Sequence, residues 1–252
     1  NVLYPGAVGG QELFFDPDEL IVGERGPAPK ATPTYPEVCL HSIKDLEILD
    51  TRPKVSFKVS PEVREIYNDF IIPFWQGKSN RERIMGSMSQ EWILAYEAGI
   101  FTEFQEQRAP GHTALGYKGF KTGFNTYLEE IEISLTTLDH FRDPHSVAKT
   151  EELMAMKISA QAMISYAGRY SELLKKRAAE EINPNKKSEL LELARICAKV
   201  PAQAPETFHE ALQHYWFIHL GVITEVNPWD SFNPGRLDQH LLPYYEHDIR
   251  EG

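Results

Sequence analysis

The stretch Phe208-His-Glu-Ala-Leu-Gln-His-Tyr-Trp-Phe-Ile-His-Leu-Gly-Val-Ile-Thr-Glu-Val-Asn-Pro-Trp-Asp-Ser-Phe232 decides how the rest of the chain is read. Following Pro201 and Pro205, it predicts a helix whose second half, Tyr215 to Val222, is apolar nearly all round. A helix without a polar face is stable only when neighbours cover every side. It is therefore expected to lie buried within a larger body.

Working outward from it, the sequence predicts a mainly α segment with few strands. Asn183-Pro184 is a cap-and-start pair for a shorter helix ending near Cys197. The longest helix is expected from about Thr150 to Glu181, with Leu153, Met156, Ala160, Met163, Ile164, Ala167, Tyr170 and Leu174 as one stripe. Glu151 and Glu152 would occupy its first turn, where the helix dipole favours a carboxylate. Another helix is expected from Ser89, with Trp92, Ile93 and Tyr96 inward and Gly99 near its end. Ser60-Pro61 opens a further one that points Val63, Ile66, Tyr67, Phe70, Ile71 and Phe74 inward. The Met and aromatic stripes read as core.

Residues 1–59 contrast with this. The run Gly23 to Pro36 holds four prolines in fourteen residues, and each removes a donor and biases its predecessor away from α. An extended segment docked on the body is expected, with a short strand at Glu19-Leu-Ile-Val22. The chain opens at Asn1 and stops at Gly252, where an amphipathic helix has barely ended, so both ends are expected to be cuts within a longer protein.

With 42% hydrophobic and 25% charged residues and no apolar run of bilayer length, the composition predicts a globular protein without a membrane span. A formal net charge of -11, with no Lys/Arg cluster, argues against nucleic acid and anionic lipid as partners. The two cysteines, Cys39 and Cys197, are far apart and in no CxxC arrangement, which suggests a reducing compartment and buried thiols.

His209, His214 and His219 invite a metal reading that their spacing rejects. Five residues turn about 140° around a helix, so the three rings share no face, and the HExxH pattern is absent. No metal is expected. Nothing approaches a dinucleotide fingerprint or a P-loop, so no nucleotide is expected either.

Two polar loops that follow hydrophobic helices carry the chemistry. In Phe101-Thr-Glu-Phe-Gln-Glu-Gln-Arg-Ala-Pro-Gly-His-Thr113, the turn at Pro110-Gly111 would present His112, and Arg108 offers a planar donor fork. In Trp229 to His240, Asp230 and Ser231 precede a turn at Pro234-Gly235, with Arg236 and Asp238 at the start of the next helix. For Arg108, Arg236 and Asp238, ion pairs and caps that hold the loops are the better reading of the residue types. For His112 and Asp230 two readings stand level: scaffold, or a proton-transfer group with a carboxylate that orients it or binds a substrate cation.

The segments Ile21-Val-Gly-Glu-Arg-Gly, Thr34-Tyr-Pro-Glu, Thr102 to Thr113 and Asn233-Pro-Gly-Arg-Leu-Asp-Gln-His240 resemble the N-terminal region of glycyl-radical enzymes of the pyruvate formate-lyase superfamily. Phe208 to Phe232 resembles most the branch that dehydrates a hydroxyproline-like substrate. It is less like relatives acting on diols, choline, isethionate or arylacetates. The resemblance implies that residues 1–252 form a single partial domain, with residues 60–252 helical and contributing elements of a parallel-strand α/β barrel in a helical shell. It implies a lyase, specifically a dehydratase, working in an anaerobic cytoplasm as a homodimer. It further implies a small-molecule substrate and a glycyl radical outside this chain, installed by a radical SAM activating enzyme.

In the site it implies His112 and Asp230 as catalytic, with Phe104, Ser231 and Phe232 against the substrate. The family's thiyl cysteine is followed two residues later by Glu. Neither Cys39 nor Cys197 has that neighbour, and the C-terminal Arg-Val-x-Gly-Tyr-like loop is absent, so the chain alone is expected to be inactive. Leu115 to Phe120 also departs from the Gly-Asp-x-Ile-Tyr-Lys-Lys run usual after the His-Thr pair. Two other readings remain at this stage: another glycyl-radical lyase acting on C-O, C-N, C-S or C-C bonds, and a helical binding module without catalysis.

Overall fold

A computed structural model of the chain describes residues 13–24, 26, 28–31, 34, 36–37, 39–54, 56–100, 116–225 and 233–252, the side chains of 224 and 225 excepted. These residues form helices and connections; the few strands expected are absent among them, and Ala31 and Lys58 form an isolated parallel bridge. They divide into two compact units: the described parts of Asn1–Gly23, Ala114–Gly221 and Pro234–Gly252, and those of Glu24–Thr113 and Val222–Asn233.

The second unit begins its helices with α1 (Ile43–Thr51), inside the stretch expected to be extended. Its start is a capping box in which Ser42 accepts from the Asp45 N–H while the Asp45 carboxylate accepts from the Ser42 N–H. Ser60 caps α2 (Pro61–Ile66), as expected, with its hydroxyl accepting from Val63 N–H at 3.4 Å. A π turn over Tyr67–Ile71 then separates α2 from α3 (Ile72–Trp75). Pro73 explains the interruption, because it cannot donate and its ring crowds the carbonyl four residues back.

The π turn also breaks the predicted stripe. Tyr67 is buried with Leu46 and Val59, and Val63 and Ile71 pack beside them. Phe70, however, is 70% exposed, and Ile66 and Phe74 are exposed too. A second capping box, Ser79 with Glu82, starts α4 (Asn80–Ser87). Ser89 precedes α5 (Gln90–Glu97), after which Gly99 takes the left-handed conformation with φ 73°. Trp92, expected inward, is 60% exposed, while Ile93 and Tyr96 are half-buried.

In the first unit, α6 (Gly116–Lys121) and α7 (Phe124–Thr137) lead to α8 (Ser146–Glu180) and α9 (Pro184–Lys199). The long helix starts a turn earlier than predicted, so Glu151 and Glu152 sit in its second turn. Its buried stripe runs from Ala160 through Met163, Tyr166, Ala167, Tyr170 and Leu174 to Ala178; Met156, nearer the start, is exposed. Asn183 caps α9, accepting from the N–H groups of Asn185 and Lys186. The Ser171 hydroxyl donates to the Ala194 carbonyl at 2.8 Å and ties α8 to α9 in their buried seam. Cys197 lies in that seam, and burial pushes its thiol up to about 12, in keeping with an inert apolar role.

Two helices complete the unit: α10 (Phe208–Glu225), as far as Gly221, and α11 (Leu237–Glu251). The predicted burial of α10 is observed, with no exposed position from Phe208 to Gly221.

Candidate functional site

Three sides of α10 meet three different neighbours, and its 3.6-residue period sorts them. On the first side, His209, Gln213, Trp216 and Leu220 repeat at i, i+4, i+7 and i+11 and grip the backbone of residues 20–23. His209 Nε2–H donates to the Leu20 carbonyl at 2.7 Å. The Gln213 amide takes both groups of Val22, accepting from its N–H at 2.8 Å and donating to its carbonyl at 2.7 Å. Trp216 Nε1–H donates to the Gly23 carbonyl at 3.0 Å. Gly23 has φ 128°, and a Cβ there would stand 2.6 Å from Leu220, so glycine fits both the torsion and the space. The strand expected at Glu19–Val22 is therefore absent. A side-chain amide has taken the place of a neighbouring strand.

The second side carries Glu210 and Phe217. Glu210 is 1% exposed and receives Arg195 Nη1 at 2.8 Å and Lys199 Nζ at 2.7 Å. It also accepts from the N–H groups of Glu206 and Thr207, while its own N–H donates to the Thr207 hydroxyl, closing a capping box at the start of α10. Burial alone would raise its pKa, but the hydrogen bonds from Lys199, the Glu206 N–H and Arg195 hold the carboxyl below the usual range. Phe217 meets Tyr166 of α8 edge-on, with ring centroids 5.8 Å apart.

The third side faces α6 and α11. Phe120 of α6 is buried with Ala211 and Leu241, and its ring stacks on Tyr215 at 6.1 Å and His240 at 5.2 Å. His214 is fully buried, and its Nε2 lies 2.8 Å from the Gly119 carbonyl. A carbonyl only accepts, so Nε2 carries the proton. Nδ1 then presents a lone pair that has no partner among the described residues. Burial drives the ring pKa down to about 4, so His214 is neutral. Tyr244 of α11 donates its hydroxyl to the Phe120 carbonyl at 2.7 Å. Burial, with Tyr117 beside it, raises the pKa of Tyr244 and keeps the phenol protonated for that bond.

The three histidines thus end on three partners in different directions: the Leu20 carbonyl, the Gly119 carbonyl and, for His219, the Tyr215 hydroxyl at 3.1 Å. No grouping of three or more His, Cys, Asp or Glu suited to a metal ion occurs among the described residues. Of the residues singled out from the sequence, Arg236 stands at the N-cap of α11, exposed, its guanidinium 3.5 Å from Gln239 Oε1. Asp238 lies in the first turn of the same helix, where the dipole favours its charge. Phe104, Arg108, His112, Asp230, Ser231 and Phe232 lie outside the described residues.

The polar groups that α10 presents to residues 20–23 and α6 are thus directed at backbone, and Glu210 is paired with Arg195 and Lys199. Sequence reading passed over Gln213, Trp216 and Tyr244, although the 209/213/216/220 spacing was a signal that one face of α10 serves a single partner.

Residues 9–252 match the model of the pyruvate formate lyase-like family, and the chain belongs to that family. Among curated relatives, it is 47% identical to trans-4-hydroxy-L-proline dehydratase of Clostridioides difficile over 97% of its own length and 31% of the relative's. It is 30% identical to isethionate sulfite-lyase of Nitratidesulfovibrio vulgaris over 95% of its own length and 30% of that protein's. The crystal structure of the C. difficile hydroxyproline dehydratase with trans-4-hydroxy-L-proline bound superposes with a TM-score of 0.89 at 48% identity, covering 95% of this chain and 30% of that one. A glycyl radical enzyme from Archaeoglobus fulgidus gives a TM-score of 0.83 at 32% identity, over 96% and 31% of the two chains. The chain thus spans about a third of the length of the relatives it matches.

Proposed function

We propose that this chain is the N-terminal, substrate-pocket portion of a glycyl-radical dehydratase acting on a hydroxyproline-like substrate. One observation carries the reading: identity over nearly the whole chain is 47% to the hydroxyproline dehydratase against 30% to the isethionate lyase. Such a gap separates a branch from its superfamily. The complete protein would be a barrel of parallel strands in a helical shell, working as a homodimer in an anaerobic cytoplasm.

In this reading Phe104 walls the pocket with Ser231 and Phe232. His112 assists departure of the substrate hydroxyl, holding or delivering a proton at the leaving oxygen, and Asp230 hydrogen-bonds the substrate or orients His112. Arg108, Arg236 and Asp238 hold the loops. The glycyl radical, installed by a radical SAM activating enzyme, supplies hydrogen abstraction from residues outside this chain. Neither cysteine here suits that task, since the Cys197 thiol is buried and held protonated and neither Cys39 nor Cys197 has Glu two positions on. The chain by itself is accordingly without turnover.

The test uses the full-length protein, activated without oxygen and offered trans-4-hydroxy-L-proline, isethionate, 1,2-propanediol and an arylacetate. Hydroxyproline should be consumed with loss of water. Consumption of one of the others instead moves the protein to another branch, and failure to take up a glycyl radical supports a binding module. His112→Ala should lower turnover by about 100-fold or more while the radical signal persists. Undiminished turnover would remove His112 from its role.

A further inference from the structure

The helix α6 is six residues long, so its last carbonyls have no partner within it. Two of them are met from outside, by different helices: the Gly119 carbonyl by His214 of α10 and the Phe120 carbonyl by Tyr244 of α11. Between these bonds the Phe120 ring is buried against Ala211 of α10 and Leu241 of α11. In sequence, α6 is the first helix after the loop 101–113, and α10 and α11 are the helices on either side of the loop 229–236. The same small node therefore joins α6, α10 and α11, the helices that flank both loops in sequence.

We propose that His214 and Tyr244 are positioning residues for the reaction, acting through the carbonyls of Gly119 and Phe120 to fix α6, the helix that follows the loop 101–113 in sequence. This rests on the reading of the two loops as the substrate pocket. Losing the donor to one buried carbonyl lowers stability by a modest part of the folding free energy, whereas misplacement of a reacting group by about 1 Å costs turnover about 100-fold. The two bonds are thus expected to matter far more to the rate than to folding. The neutral state of His214 suits the role, because the ring then offers one N–H, and that N–H is committed to Gly119.

The experiment uses the full-length protein, activated without oxygen, with whichever of the four substrates the wild type consumes. Tyr244→Phe deletes one hydroxyl and keeps the ring. It should lower kcat/KM about tenfold or more, with glycyl-radical content close to wild type and only a modest drop in melting temperature. His214→Phe removes the N–H, whereas His214→Gln restores a donor near the Nε2 position, so Phe should fall as Tyr244→Phe does and Gln should recover most of the loss. If His214→Phe fails to fold, Tyr244→Phe and the Gln variant decide. Wild-type kcat/KM in Tyr244→Phe overturns the proposal, as does a loss that only tracks radical content or folded fraction. A wrong substrate assignment shows in the wild type, and a wrong positioning role shows only in the variants.

Discussion

Burial makes His214 a proton-poor base in a region where pH matters. Its pKa is about 4 folded, against 6.5 for an ordinary histidine, so the unfolded chain binds the proton more readily. The contribution is therefore complete above pH about 6.5 and lost as pH falls through about 4, amounting to about 3 kcal/mol over that window. His214→Gln does not titrate. Urea midpoints of the full-length protein between pH 7 and 4 should therefore fall less steeply for the variant, and parallel slopes would contradict the assignment. At this scale the sequence disclosed less than its residue types promised. His214 was legible as a histidine that shares no face with His209 and His219, but its partner is a backbone carbonyl 95 positions away. No spacing rule reaches that far. Cys197 shows the opposite case: its buried, inert character followed from the lack of a CxxC partner and the tendency of a free cysteine to behave as a small hydrophobe.

Among the elements, those announced by local chemistry were the ones that could be read. Asn183-Pro184 and Ser60-Pro61 placed the starts of α9 and α2 to the residue, because a cap acts within one turn of itself. The boxes Ser42-x-x-Asp45 and Ser79-x-x-Glu82 carried the same signal for α1 and α4 and were hidden by the prolines and charges around them. The supposed strand at 19–22 failed for a different reason. The backbone bends at Leu20 and Ile21, Gln213 supplies the pairing that a strand would give, and a side chain 191 positions away leaves no period in the sequence. Gln213→Leu would leave both Val22 groups buried without partners, at about 2 kcal/mol or more. Limited proteolysis of residues 13–24 in the full-length protein should then accelerate by roughly 30-fold, provided opening is fast compared with cleavage. An unchanged rate would show that His209 and Trp216 suffice.

At the scale of the whole molecule, the chain is a third of its relatives' length and matches them almost end to end. A graft is the corresponding test. Residues 9–252 placed on the remaining two thirds of the C. difficile dehydratase should retain hydroxyproline turnover, measured as substrate consumed per glycyl radical, within about tenfold of the parent. The same graft on the isethionate sulfite-lyase should lose isethionate cleavage, if substrate choice resides in this portion. Retained isethionate cleavage would place the choice elsewhere. Most helices keep one strip toward water, and substitutions drift along that strip at little cost. From Phe208 to Gly221 α10 keeps none. Its history is thus tied to that of residues 20–23, α6, α8, α9 and α11 together, and a change in any one of them must be answered by a matching change across the contact.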